Sequence, residues 1–172
     1  MLTKNFYNYI YSVAMQKTFT GNTMPGNKTT MNYTNVSALS FYAPFECMFQ
    51  HYVASSSAIG TILFGTHFGS GTTPATIDDC CLENVLNDST LAVTYPSSTS
   101  FSELEDCHEY TATFGLTPKK DAVTISEVGL FFGDSSYGVF MADRTVLEEP
   151  ITINPGETKQ LTYTIRMNYP TA

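Results

Sequence analysis

"EPITINPGETKQLTYTIRMNY" (149–169) decides the class of fold. Leu161, Tyr163, Ile165 and Met167 alternate with Thr162, Thr164 and Arg166. A period of two is the mark of an antiparallel strand with one face on a core and the other in water. Ahead of it, Pro155-Gly156 separates this strand from another that ends near Ile153. The Pro-Gly pair predicts a type II turn, because proline presets the first central residue and glycine accepts the positive φ of the second. Working back along the chain, "YGVFMADR" (137–144), "AVTISEVGLFFG" (122–133) and "CHEYTATFGLT" (107–117) are further strand-like runs. A Pro-Lys-Lys-Asp link (118–121) between the last two reads as the turn of a hairpin. "TLAVTYP" (90–96), "AIGTILFGTHF" (58–68) and "ECMFQHYV" (46–53) continue the pattern toward the N-terminus. Seven or so short strands at this spacing predict a mainly β fold, an antiparallel β-sandwich of jelly-roll or immunoglobulin-like type.

Two helices are expected beside the strands. Leu2, Phe6, Tyr9, Ile10 and Val13 recur at helical spacing, which predicts a short N-terminal helix over about 2–16 with Thr3 as its N-cap. A second short helix is expected near 78–86. Residues 18–40, punctuated by Gly21, Pro25 and Gly26, read as an extended loop or arm. No repeat and no composition break divides the 172 residues, so a single domain over 1–172 is expected.

Composition narrows the function. Charged residues make up only 14% of the chain, well below the usual quarter, while Tyr and Phe number 11 and 12. A surface so poor in charge suits a subunit covered by neighbours, and a homo-oligomer is expected. The net charge of −8 and the absence of a basic run exclude phosphate-backbone binding, so no nucleic-acid partner is expected. No apolar run is long enough to span a bilayer, so no membrane partner is expected either. "MLTKNFYNYIYSVAMQ" (1–16) lacks the apolar core of a signal peptide, which points to synthesis in a cytoplasm.

The richest stretch for chemistry is "FGSGTTPATIDDCCLENVL" (68–86). Its glycines fit neither a P-loop nor a dinucleotide fingerprint, and no basic residue follows them. Gly69 and Gly71 are therefore read as a tight turn needing positive φ. Asp78 or Asp79 would cap the short helix, whose Leu82, Val85 and Leu86 face the core. Cys80 and Cys81, with Cys107 and His108, could be drawn as zinc ligands. However, structural zinc sites space their cysteines as C-x₂₋₄-C, and adjacent cysteines point apart in most backbones. Two readings stay open for Cys47, Cys80, Cys81 and Cys107: buried thiols, or a disulfide between one of the pair and Cys47 or Cys107. A calcium site at Asp78, Asp79 and Glu83 matches no loop template. His51, His67 and His108 fall in separate strands, and no serine elbow is present. No catalytic constellation, cofactor site or metal site is assigned, and the chain is not read as an enzyme. Gly129, inside a strand, marks a bulge or a close approach. Arg144 is one of few basic residues and is expected to pair with Glu127 or Glu148.

Three stretches together resemble the small structural proteins of tailed bacteriophages. "FGSGTTPATIDDCCLENVL" is similar to the pattern G-[TS]-G-T-T-x-P-T-x-x-D-x-x-L-E. "ISEVGLFFG" is similar to I-[ST]-E-[VI]-G-L-F. "FMADRTVLEEPITINPGETKQLTYTIRM" is similar to L-x-A-R-x-x-L-x-x-P-[IV]-T-[IV] followed by a T-Y-T strand. The set covers about half the chain in the expected order. It departs at Asp143, which stands between the Ala and Arg of the pattern, and at Cys80-Cys81 in variable positions. The resemblance implies a non-enzymatic virion component, made in the bacterial host cytoplasm and carried in the particle. Its partners would be other virion proteins of the capsid, neck or tail. It would serve as a capsid decoration or a neck or tail accessory. The alternative is a tail-tip or fibre module that binds a host-surface glycan or receptor. The many tyrosines favour that alternative and the missing tryptophan weighs against it.

Overall fold

The computed structural model describes residues 1–8, 51–53, 62–94, 98–134 and 138–169. The 18–40 arm, residues 9–16 of the expected first helix and Cys47 lie outside the described residues. Those described form a mainly β structure of two antiparallel sheets and one short N-terminal helix, α1 (4–8). The strands are β1 (His51–Val53), β2 (Ile62–Gly69), β3 (Leu91–Val93), β4 (Ser98–Glu103), β5 (Cys107–Pro118), β6 (Val123–Asp134), β7 (Gly138–Ile153) and β8 (Lys159–Asn168). Contacts divide the chain into two compact units, Met1–Asn87 with Thr124–Thr152, and Asp88–Val123 with Ile153–Ala172.

The first unit holds the sheet β1-β2-β6-β7. Its central strand is read directly from "ISEVGLFF". Every residue from Ile125 to Phe131 is buried, so both faces of β6 are covered. β2 pairs with it antiparallel, setting Gly69 opposite Glu127, His67 opposite Gly129 and Gly65 opposite Phe131. Directly opposed residues share a face. This face therefore carries Glu127, Gly129 and Phe131 beside two glycines and His67, whose ring meets Phe131 edge-on at 5.5 Å. Residues 1–3 lie along β7. Thr3 N–H donates to the Ala142 carbonyl, Arg144 N–H donates to the Met1 carbonyl, and Leu2 bridges Asp143. The Met1 ammonium lies 2.9 Å from Asp143 Oδ1. Thr3 precedes α1 as expected, but its hydroxyl donates to the Met141 carbonyl of β7.

The second unit is built on β5, which takes β8 along one edge and β4, then β3, along the other. Ala112, Phe114 and Leu116 of β5 and Leu161 and Tyr163 of β8 are buried. Thr162 and Thr164 are exposed, as the alternation in β8 predicts. The outward face is a ladder of hydroxyl pairs, Thr111 with Thr164, Thr113 with Thr162 and Thr117 with Thr158. Gly156 has φ +83°, and Glu157 N–H donates to the Asn154 carbonyl. That is the type II turn expected of Pro155-Gly156.

Two expectations are corrected. β5 and β6 do not form a hairpin. β5 lies in the second sheet and β6 in the first, so the 118–121 link passes the chain between sheets. A short polar link between two strands looks the same locally in either case. Nor is 78–86 a helix. It is a run of turns and bends ending in a bridge between Val85 and Gly69. Its backbone donors go elsewhere than to carbonyls four residues back, as the next section shows.

Candidate functional site: a loop held on a buried carboxylate

The loop 70–86 leaves β2 and returns to it. Ser70 N–H donates to the Asn84 carbonyl, and Leu86 N–H donates to the Phe68 carbonyl. The two ends are thereby stitched together, as in a compact Ω-loop. A closed loop lying on a sheet must find partners for its inward N–H groups. Here one side chain supplies the acceptors for three of them, Gly71, Glu83 and Asn84.

Glu127, fully buried in the middle of β6, accepts four hydrogen bonds. Its Oε1 takes Gly71 N–H at 3.0 Å and Asn84 N–H at 2.9 Å. Its Oε2 takes Glu83 N–H at 3.1 Å and Arg144 Nε–H at 2.9 Å. The N–H groups of 83 and 84 are thus committed to β6, which is why the segment is not helical. Arg144, whose side chain is only 4% exposed, continues the network. Its Nη1 donates to Asp79 Oδ2 at 2.9 Å. Its Nη2 lies 3.7 Å from Glu83 Oε2, longer than a hydrogen bond, and is buried without a hydrogen-bond partner.

The outer half of the loop repeats the device with one exposed carboxylate, Glu83, and one half-buried, Asp79. Glu83 Oε2 accepts the N–H groups of Thr72 and Thr73, both at 2.9 Å, and its Oε1 accepts the Thr73 hydroxyl. Asp79 accepts both the N–H and the hydroxyl of Thr76. Electrostatics follow from this wiring. Burial alone would raise the Asp79 carboxyl, but hydrogen bonds from Arg144 and Thr76 outweigh it and hold it below its ordinary 3.8. The Thr73 backbone and hydroxyl bonds lower Glu83. Burial disfavours the charged Arg144, yet its bonds to Asp79 and Glu127 leave its pKa raised.

The glycines have a different role from the one expected. Positive φ occurs among the described glycines at Gly65 and Gly156, and at neither Gly69 nor Gly71. They are required by close approach instead. A Cβ on Gly69 would lie 2.7 Å from Glu127 Cγ and 2.8 Å from the Asn84 carbonyl oxygen. A Cβ on Gly71 would lie 2.6 Å from Glu127 Oε1 and also against Glu83. Gly129 is likewise a close approach, since a Cβ there would sit 2.9 Å from both Leu82 Cδ2 and Phe131 Cε2. Leu82 anchors the loop by packing on Phe131 and Met141, with Val85 beside it.

The other singled-out residues are dispersed. Asp78 is exposed, and Asp79 closes a turn with Thr76 rather than capping a helix. Cys80 and Cys81 are half-buried free thiols in this loop, whereas Cys107 is a buried free thiol of the second unit. His67 is buried on β2, and His108 stands beside Tyr169, ring edge to ring face at 5.1 Å. His51 lies on β1. Among the described residues, no group of three or more His, Cys, Asp or Glu side chains could hold a metal ion. Among them, too, no helix is long and apolar enough to cross a membrane. The structure pairs Arg144 with Glu127, one of the two carboxylates expected, and to that extent the pairing was legible in the sequence. The four-bond role of Glu127 was not, although a lone carboxylate inside "ISEVGLFF" signals a buried charge in need of partners.

No protein-family model matches the chain, and neither a curated protein nor a solved structure matches it.

Proposed function

We propose that this chain is a non-enzymatic structural component of a tailed-phage virion. In this reading its sheets make a β-sandwich and its subunits form a homo-oligomer, acting through protein contacts as a capsid decoration or a neck or tail accessory. One observation carries the proposal. The resemblance rests on three separate stretches of sequence, and some residues from each of them meet in a single network. Gly69, Gly71, Thr72, Thr73, Thr76, Asp79, Leu82 and Glu83 come from the first stretch, Glu127 and Gly129 from the second, and Arg144 from the third. Their polar groups hold one another, and their glycines make room for those groups. Residues joined in this way specify a shape, which is what a pattern shared by particle subunits of differing surface would preserve. Exposed Met1, Tyr7 and Ile77 lie in the same unit, where Lys4 N–H meets the Ile77 carbonyl. They offer apolar surface for a neighbouring subunit.

Gold-labelled antibody against the purified protein, applied to particles from the source and viewed by electron microscopy, tests the proposal. Label over the heads is expected for a decoration protein, and label at one vertex or along the tail for an accessory. Mass spectrometry of the same particles covers a hidden epitope. Absence of the chain from purified particles by that measurement overturns the proposal.

A further inference from the structure

We infer that β8 is the strand by which two copies of this chain join, edge to edge and antiparallel, about a two-fold axis at Thr164. The direction of the backbone groups in β8 follows from its neighbour. Gly115 N–H donates to Thr94 Oγ1, and its carbonyl accepts Thr94 N–H, so both groups point to the β3 side of β5. Backbone groups alternate in direction along an antiparallel strand. Phe114 and Leu116 therefore turn theirs to β8, where they oppose Leu161 and Lys159. The odd-numbered residues of β8 thus serve β5, and Tyr169 N–H, which donates to the Asp106 carbonyl, continues the series. Gln160, Thr162, Thr164, Arg166 and Asn168 present their N–H and carbonyl groups to the opposite edge, and all five residues are exposed. Among the described residues no strand pairs with that edge.

The other edges are short or blunted, as free edges commonly are. β1 and β3 have three residues each and β4 has six. β7 is bridged by residues 1–3 and then carries Glu148, Glu149 and Pro150. β8 runs for ten residues without proline, and its two cations, Lys159 and Arg166, lie toward its ends. Such an edge takes an added strand through main-chain hydrogen bonds. Its side chains select a second copy of itself. About Thr164, the outward groups of Gln160 and Thr162 meet those of Asn168 and Arg166 of the second copy, and Thr164 meets Thr164. The exposed face then extends the threonine pairing already present between β5 and β8. On the other face Tyr163 meets Ile165 and Leu161 meets Met167, which gives the half-buried Ile165 and Met167 apolar neighbours. No like charges are opposed, whereas a parallel pairing in register would set Arg166 on Arg166 and Lys159 on Lys159. The inference rests on the self-association in the proposed function and gives it a place on the chain.

The full chain tests it. Wild type should self-associate in sedimentation. Thr164→Cys under oxidised glutathione should give a covalent dimer linked through position 164 on both chains. Hydrogen-bonded opposed residues have Cα atoms about 5.5 Å apart, within the reach of a disulfide. Peptide mapping by mass spectrometry separates that link from links at the native cysteines. Thr111→Cys, one strand further in, should give no such link. Thr164→Lys sets two like charges face to face and should weaken self-association at least about tenfold with the circular dichroism unchanged. If that variant misfolds, the link at position 164 decides alone. A wild-type chain that sediments as a monomer at every concentration, or an oligomer in which position 164 does not link to itself, overturns the inference. Neither result bears on whether the chain is in the particle, which mass spectrometry of purified particles decides separately.

Discussion

Replacing Glu127 by glutamine should be nearly as damaging as truncating it to alanine, although glutamine has the same shape. Glu127 receives four donors, two on each oxygen. A glutamine amide has one oxygen and one NH₂ group. If its oxygen serves Gly71 and Asn84, the NH₂ faces the Glu83 N–H and the Arg144 Nε–H. The flipped amide faces the other two donors instead. Either way two buried donors lose their acceptor and Arg144 loses the charge beside it. Breaking a buried ion pair from one side costs about 3–5 kcal/mol, a large part of the total stability of a domain. For a chain of this size that is roughly a 6–20 °C fall in Tm. Thermal and urea unfolding of wild type, Glu127→Gln and Glu127→Ala measure it. A glutamine variant that melts within about 2 °C of wild type, or lies far closer to wild type than the alanine variant, would refute the four-donor account.

Three further outcomes follow from the same geometry. Exchanging the whole ion pair for apolar side chains, Glu127→Leu with Arg144→Met, often proves neutral at buried pairs. Here it should stay at least about 2 kcal/mol destabilised in urea titrations, because three loop N–H groups remain without an acceptor. Gly69→Ala should cost about 2–3 kcal/mol through its clash with Glu127 and the Asn84 carbonyl, against about 1 kcal/mol for the positive φ of Gly156→Ala. A double-mutant cycle should show Gly69→Ala coupled to Glu127→Ala by at least about 1 kcal/mol, and Gly156→Ala additive with it. Asp79 has a depressed folded pKa, so its contribution is present above the ordinary value of 3.8 and is lost as pH falls through the folded value. Tm measured from pH 7 down to pH 2 should therefore drop below about pH 4 in wild type. The drop should be shallower in Asp79→Asn, which begins lower at neutral pH.

What the sequence determined by itself is whatever a residue shares with its near neighbours. The alternation in Leu161–Met167 made β8 a half-buried strand, since a pleat turns every second side chain to the same face. Pro155-Gly156 made a type II turn, since φ is restricted in one residue and unrestricted in the other. Arg144, in a chain with few cations, called for a carboxylate, since a buried charge cannot stand alone. Only the tertiary structure decided where these pieces met. It put β5 and β6 in different sheets although four residues separate the two predicted runs, because a short link restricts distance and not which edge is taken. It kept 78–86 from closing a helix, because the acceptor for Glu83 N–H stands 44 residues later in the chain. It made Gly69 and Gly71 a matter of space, because the carboxylate that would collide with a Cβ comes from β6. A pattern read along the chain records backbone preference. The partner of a buried donor is set by whatever the fold brings across from elsewhere, and here that was a single glutamate.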